Sequence, residues 1–284
     1  MSHPSLGRIS SIIVFSYLPL WISGLLIRSS TNFLKRKSDN QIFYVHCFFK
    51  VMYIMTKIVE EPDYREKTFI FHDRFHAGRL LGKKLQKYSK ENIVLLIVPA
   101  GGVPVGYEIS KELAVSMDVI IVRKIQIPWN TEAGFGALTW DGDILLNELI
   151  IKHLGLTGKM IEESISKTWR IIQERSRSFR GGKPIPNLTG KIIVLVDDGL
   201  ASGFTMLAAA RSVRKKKPER IVVAVPTASI SAIRLLTTEV EEIVCLNIRS
   251  GSIFAVADAY KNWYDLTDTD VINILEKAEK FGSR

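Results

Sequence analysis

Hydrophobic and polar positions alternate between two periods along most of this chain. From about Thr68 onward, short apolar runs are followed by stretches with helical spacing. "DRFHAGRLLGKKLQKY" (73–88) predicts an amphipathic helix with Asp73 as its N-cap. "NIVLLIVP" (92–99) is continuously apolar, the pattern of a strand covered on both faces. "VGYEISKELAV" (105–115) returns to helical spacing, and "DVIIVRKIQI" (118–127) predicts the next strand. "FGALTWDGDILLN" (135–147) carries an Asp-Gly between two β-prone runs and predicts a hairpin. A long amphipathic helix is predicted over much of 147–177. Strands then fall at 191–197, 220–226 and 242–248, and helices at 203–216, 229–237 and 269–280. The alternation predicts an α/β fold, a mostly parallel sheet flanked by helices on both faces. No internal repeat or low-complexity tract interrupts it.

Residues 1–57 break the pattern. "IIVFSYLPLWISGLLI" (12–27) is apolar but contains Pro19 and has 16 residues, short of the roughly 20 that a spanning helix needs. "IFYVHCFFKVMYIM" (42–55) carries His46 and Lys50, and the basic "RSSTNFLKRK" (28–37) lies between the two runs. Three readings stay open. The region is a membrane anchor whose basic flank holds the rest of the chain in the cytoplasm, a signal peptide without a small-x-small cleavage site, or sequence upstream of a start at Met52 or Met55. The chain therefore divides into a hydrophobic, basic extension (1–57) and an α/β domain (68–284).

Charge locates the extension further. The 284 residues carry a formal charge of +10, but residues 1–57 hold seven Lys/Arg against one acid, Asp39, while residues 58–284 hold 32 against 28. The domain is only mildly basic and has no aromatic-basic stripe, which argues against a nucleic-acid partner. A membrane partner would act only through residues 1–57. The two cysteines, Cys47 and Cys245, cannot form a disulfide framework or a metal site, and they point to a reducing compartment, the cytoplasm. His72, His76 and His153 show no metal-ligand spacing and read as surface or helix-face residues.

The candidate chemistry lies in "KIIVLVDDGLASGFTM" (191–206). A buried strand runs into Asp197 and Asp198, and a loop of small and hydroxyl residues leads into a helix. Strand C-termini form the ligand edge of open α/β sheets. Gly203, Ala201 and Ser202 let the backbone approach a ligand, helix N-terminal N–H groups favour an anion, and Ser202 and Thr205 add hydroxyl donors. The loop suits a phosphate. Two carboxylates repel phosphate and suit sugar hydroxyls, with a divalent cation as a further partner. A sugar phosphate satisfies both halves. A second candidate loop, "VPAGGVPVGYEIS" (98–110), places two glycines at a strand end before a helix, where backbone N–H groups can receive an anion.

The acids followed by "GLASGFT" resemble the PRPP-binding signature of type I phosphoribosyltransferases, where PRPP is 5-phosphoribosyl 1-pyrophosphate. "VPAGGVPVG", "VRKIQIPWNTEAGFGAL" and the acidic signature also occur in the order of a group of predicted phosphoribosyltransferases without an assigned acceptor, over roughly residues 70–280. The resemblance implies that Asp197 and Asp198 bind the ribose hydroxyls and, mostly through PRPP, Mg2+. It implies that Gly199, Leu200, Ala201, Ser202, Gly203, Phe204 and Thr205 form the 5-phosphate loop. Ala100, Gly101 and Gly102 become the pyrophosphate loop, with a cis peptide expected at Pro99–Ala100. That group carries an arginine where Ala100 stands, so one positive side chain is missing. Arg123 and Lys124 end a strand and would neutralise pyrophosphate charge. "IPWNTEAGFGAL" (127–138) would be a lid loop, with Trp129 either a stacking group or an anchor. Phe254 and Tyr260 in "SGSIFAVADAY" (250–260) would face the acceptor. Relatives acting on hypoxanthine and guanine have an acid where Ala201 stands, so the resemblance points away from a 6-oxopurine. The implied function is Mg2+-dependent transfer of the 5-phosphoribosyl group to a small-molecule nucleophile, with a homodimer left open. The alternative on the same fold is a PRPP-sensing regulator or an RNA-binding protein.

Overall fold

The computed structural model describes residues 12–15, 56–251 and 253–279. The chain enters through strands Ile12–Phe15 (β1) and Lys57–Val59 (β2), then helix Arg74–Lys84 (α1), strand Ile93–Ile97 (β3), helix Gly102–Leu113 (α2) and strand Met117–Val119 (β4). Strands Val122–Ile127 (β5), Asn130–Thr139 (β6) and Ile144–Asn147 (β7) come next, then helices Glu148–Leu154 (α3) and Gly158–Arg180 (α4). The rest alternates: Ile192–Val196 (β8), Phe204–Arg214 (α5), Arg220–Ser229 (β9), Ile230–Leu236 (α6), Glu242–Arg249 (β10) and Asp268–Glu279 (α7).

Six strands form a parallel sheet in the order β2-β10-β9-β8-β3-β4. All five residues of β8 are buried, as a strand covered on both faces requires. Val194 and Val196 pack into the core layer under α1 and α2, while Ile193 and Leu195 pack into the layer under α5 and α6. A second sheet, in the order β1-β7-β6-β5, stands beside the first; β5–β6 and β6–β7 are antiparallel, and β1 runs parallel to β7. The Asp141-Gly142 turn closes the β6–β7 hairpin as expected, with Gly142 at φ +85°. Asp141 and Asp143 dock that hairpin onto α5 through Ser212 (2.7 Å) and Lys215 (2.6 Å).

The sequence pattern and the structure differ in four places. The run 118–127 is two strands in two sheets, because Arg180 holds the Asp118 carboxylate (2.9 Å) and the Val119 carbonyl (3.1 Å) where the chain leaves the first sheet. The helix expected over 147–177 divides at Gly155, and Thr157 caps the second piece by accepting from the Met160 N–H. The expected lid loop is mostly strand β6; Gly134 there serves packing, since a Cβ would lie 2.3 Å from Lys124 Cγ. The sheet also begins upstream of Thr68, where β2 pairs with Glu242–Val244 of β10. Apart from Ile12–Phe15, the apolar runs of the N-terminal extension lie outside the described residues. No helix among the described residues is long and apolar enough to cross a membrane.

Candidate active site

Strand register builds the site. Ile93 pairs with Ile192 and Ile97 with Val196, so β3 and β8 end level at the same edge. The two loops leaving these strands therefore emerge side by side: Ala100, Gly101 and Gly102 after β3, Asp197 and Asp198 after β8. The contact is tight. A Cβ on Gly101 would lie 2.0 Å from Asp198 Oδ2, and one on Gly102 would lie 3.0 Å from Asp197 Cα. Only glycine lets the first loop reach the acids. The Pro99–Ala100 peptide is cis, as the resemblance led us to expect. Ala100 itself is half-buried against the core.

The two acids differ in surroundings. The Asp197 carboxyl accepts from the Asp198 N–H at 2.8 Å. Burial, then the adjacent Asp198 charge, push its pKa well above the ordinary carboxylate range. Such a pair gains from a cation or from hydroxyl donors. The Asp198 Oδ2 accepts from Arg74 Nε at 2.8 Å, and its main-chain carbonyl accepts from the Tyr260 hydroxyl at 2.6 Å. Among the described residues, no group of three or more His, Cys, Asp or Glu could hold a metal unaided. A divalent cation fits Asp197 and Asp198 if the ligand supplies the other oxygens.

The loop from Gly199 to Gly203 is fixed from behind. Leu200 is buried, donating to the Thr227 carbonyl (3.0 Å) and accepting from Ser229 (2.9 Å), so its backbone anchors the loop to β9 and faces no ligand. The Ser229 hydroxyl donates to the Ala201 carbonyl at 2.6 Å. Gly199 lies against Val256 and Thr227 with no room for a side chain. Gly203 begins α5 at φ +74°, with Ala232 where a Cβ would need space. Ala201 and Ser202 are exposed, Phe204 and Thr205 half-buried. The first-turn N–H groups of α5 lack intrahelical partners, and this end of the helix carries positive partial charge. The loop can therefore receive a phosphate, with the Ser202 and Thr205 hydroxyls beside it.

Other predicted residues are placed differently. Neighbours on a strand point to opposite faces. Arg123 is half-buried near Arg175 and Asp268, while Lys124 is exposed and donates to the Glu132 carbonyl on the adjacent strand. Val122, two residues before Lys124 on the strand, packs in the layer under α5. Trp129 lies exposed between β5 and β6. Phe254 is half-buried over Arg249, its ring centroid 4.9 Å from the guanidinium. Tyr260 is only 1% exposed, so its ring has no face for an acceptor; it braces the Asp198 carbonyl instead. Burial, then the Asp198 charge, raise its pKa well above the ordinary tyrosine value, which keeps the hydroxyl a donor.

Arg74, Trp263 and Tyr264 join the site without having been read from the sequence. For Arg74 a signal existed. The buried residues of α1 are Arg74, Ala77, Gly78, Leu81 and Gly82, so the helical period sets an arginine on an apolar stripe.

The comparisons with known proteins agree with this geometry. Residues 72–258 match the family model described as "Phosphoribosyl transferase domain". Proteins from two strains of Mycobacterium tuberculosis, each named "Putative phosphoribosyl transferase", are 35% identical over 211 residues, which is 74% of this chain and 47% of theirs. The chain thus spans about half the length of the curated relatives it matches. The crystal structure of TT1426 from Thermus thermophilus superposes with a TM-score of 0.60 at 34% identity, covering 73% of this chain and 98% of that one. This chain belongs to the phosphoribosyltransferase family.

Proposed function

We propose that the protein transfers the 5-phosphoribosyl group from PRPP, bound with Mg2+, to a small-molecule nucleophile and releases pyrophosphate. The observation that carries this reading is the meeting of three elements at one sheet edge: the glycine loop after β3, the acids after β8 and the N-terminus of α5. Each suits one part of PRPP. Asp197 and Asp198 accept hydrogen bonds from the ribose hydroxyls. Backbone N–H groups of the Ala201–Thr205 loop take the 5-phosphate, and those at Gly101 and Gly102 take the pyrophosphate. When bound, Mg2+ neutralises pyrophosphate charge, and the acids hold it together with ligand oxygens. In the reaction, the bond between the anomeric carbon and the pyrophosphate oxygen breaks as the acceptor's lone pair bonds to that carbon, and the acceptor loses a proton. The chain's residues position the reactants and stabilise charge, and no covalent enzyme intermediate is required. Arg123 and Lys124 are the two cations expected to neutralise pyrophosphate charge. Ala201 offers no acid to a purine ring nitrogen, which disfavours a 6-oxopurine acceptor.

A pyrophosphate-release screen of the full chain with PRPP and Mg2+, over purines, pyrimidines and small amines, tests the reading. We expect release with one acceptor class and none without Mg2+. One observation favours a second reading. Ala100 supplies no cation to the pyrophosphate loop, as suits a protein that binds PRPP as a signal. Tight PRPP binding with no release for any acceptor would select that reading.

A further inference from the structure

The side chain of Arg74 is 6% exposed, and a buried guanidinium is retained only where its partners are well placed. Its Nε–H donates to Asp198 Oδ2 and its Nη1 to the Tyr264 carbonyl, both at 2.8 Å. The guanidinium lies 3.8 Å from the ring centroid of Trp263 and 5.9 Å from those of Tyr260 and Tyr264. Tyr260 in turn grips the Asp198 carbonyl. Asp198 is thus held at its side chain from α1 and at its main chain from the 260–264 segment.

The surroundings of Asp198 make this hold consequential. On one side the carboxylate meets Gly101 so closely that a Cβ there would lie 2.0 Å away. On the other stands the Asp197 carboxyl, whose ionisation the Asp198 charge opposes. A carboxylate set between a second acid and a loop suited to an anion needs a cation to fix it in place. Arg74 is that cation, and its stack on Trp263 fixes its plane.

We propose that Arg74 is a positioning residue for the reaction. It holds the Asp198 carboxylate where a sugar hydroxyl meets it, and the aromatic segment Tyr260–Tyr264 holds Arg74. The inference rests on the reading of Asp198 as a sugar-binding acid. Arg74 touches the acid and not the ligand, so its loss should weaken ligands that use the acid and spare those that do not.

Two ligands separate these effects. Ribose 5-phosphate uses the acids and the phosphate loop, whereas inorganic pyrophosphate without Mg2+ uses the glycine loop alone. In calorimetry on the full chain, Arg74→Met should weaken ribose 5-phosphate binding about tenfold or more, the scale of a lost charge-assisted hydrogen bond. Pyrophosphate binding should stay within about twofold, and Arg74→Lys, which keeps the charge and loses the planar fork, should recover part of the loss. Should Arg74→Met not fold, Trp263→Leu, which leaves Arg74 in place without its ring, should show the same selective loss. A folded variant that binds ribose 5-phosphate as the wild type does overturns the inference, as does an equal loss for both ligands, which marks Arg74 as structural only. Failure of the wild type to bind either ligand removes the sugar-phosphate reading, and this inference with it.

Discussion

Replacing Gly101 by alanine isolates the contact on which the site is built. The backbone at Gly101 is α-helical, φ −58° and ψ −35°, so alanine fits there without torsional strain. The whole effect is then steric. The added methyl would lie 2.0 Å from Asp198 Oδ2, 2.4 Å from Cγ and 2.8 Å from Oδ1, whereas ordinary contact begins at 3.4 Å. The difference between 3.4 and 2.0 Å means that the carboxylate must retreat by about 1.4 Å. It is not the free end of a long side chain, and Arg74 holds it. Overpacking of this kind costs about 1–3 kcal/mol. Borne by the ligand complex, at about 1.4 kcal/mol per decade, that is a loss of about 5- to 150-fold in PRPP·Mg2+ affinity. Calorimetric titration with a parallel thermal melt reads both quantities. Gly106→Ala is the control: its methyl would meet Ile97 Cδ1 at 2.3 Å, within the core, and should lower the melting temperature while leaving affinity unchanged. A folded Gly101→Ala protein with wild-type affinity would show that the glycine loop and Asp198 do not share a ligand.

Two further outcomes are expected from the fold. Asp73 caps α1 by accepting from the His76 N–H at 2.7 Å, and Asp73→Ala should cost about 0.5–2 kcal/mol in chemical denaturation. Burial alone would raise the Asp73 pKa, but its bonds to His76 and His72 outweigh burial and lower it. Its contribution is therefore full above the unfolded carboxyl's pKa of about 3.9 and is lost as pH falls through the lower folded value, so wild type and variant should converge in acid. A chain beginning at Met55 keeps β2 and every candidate site residue, and it should fold and bind PRPP as the full chain does. If it is unfolded while the full chain folds, the extension, through β1 beside β7, belongs to the domain.

How each feature is encoded decides whether the sequence reveals it or hides it. Strands β3 and β8 are visible because full burial demands unbroken apolar residues, and the acids stand out because two charges end such a run. The parallel order follows from the alternation with helices. Strand β2 is hidden: three residues with Lys57 first carry no period, and β10 recruits them through the backbone. The 118–127 run shows no break because both sheets want apolar residues there, and the residue that divides it, Arg180, lies on α4. Arg74 contacts Asp198 across 124 positions, beyond any local pattern, although its place on a buried stripe was legible. The opposite facing of Arg123 and Lys124 was legible too, once both were assigned to one strand.

In the proposed reaction Asp197 and Asp198 accept hydrogen bonds from the sugar hydroxyls of PRPP. Titrating PRPP·Mg2+ into the full chain and into the Asp197→Asn, Asp198→Asn double variant tests this role most directly. Asparagine keeps the shape of each acid, and its amide oxygen still accepts from Arg74, so circular dichroism and melting should report a folded protein. We expect saturable binding to the wild type and none to the variant. Unchanged affinity in a folded double variant would remove the acids from the PRPP site.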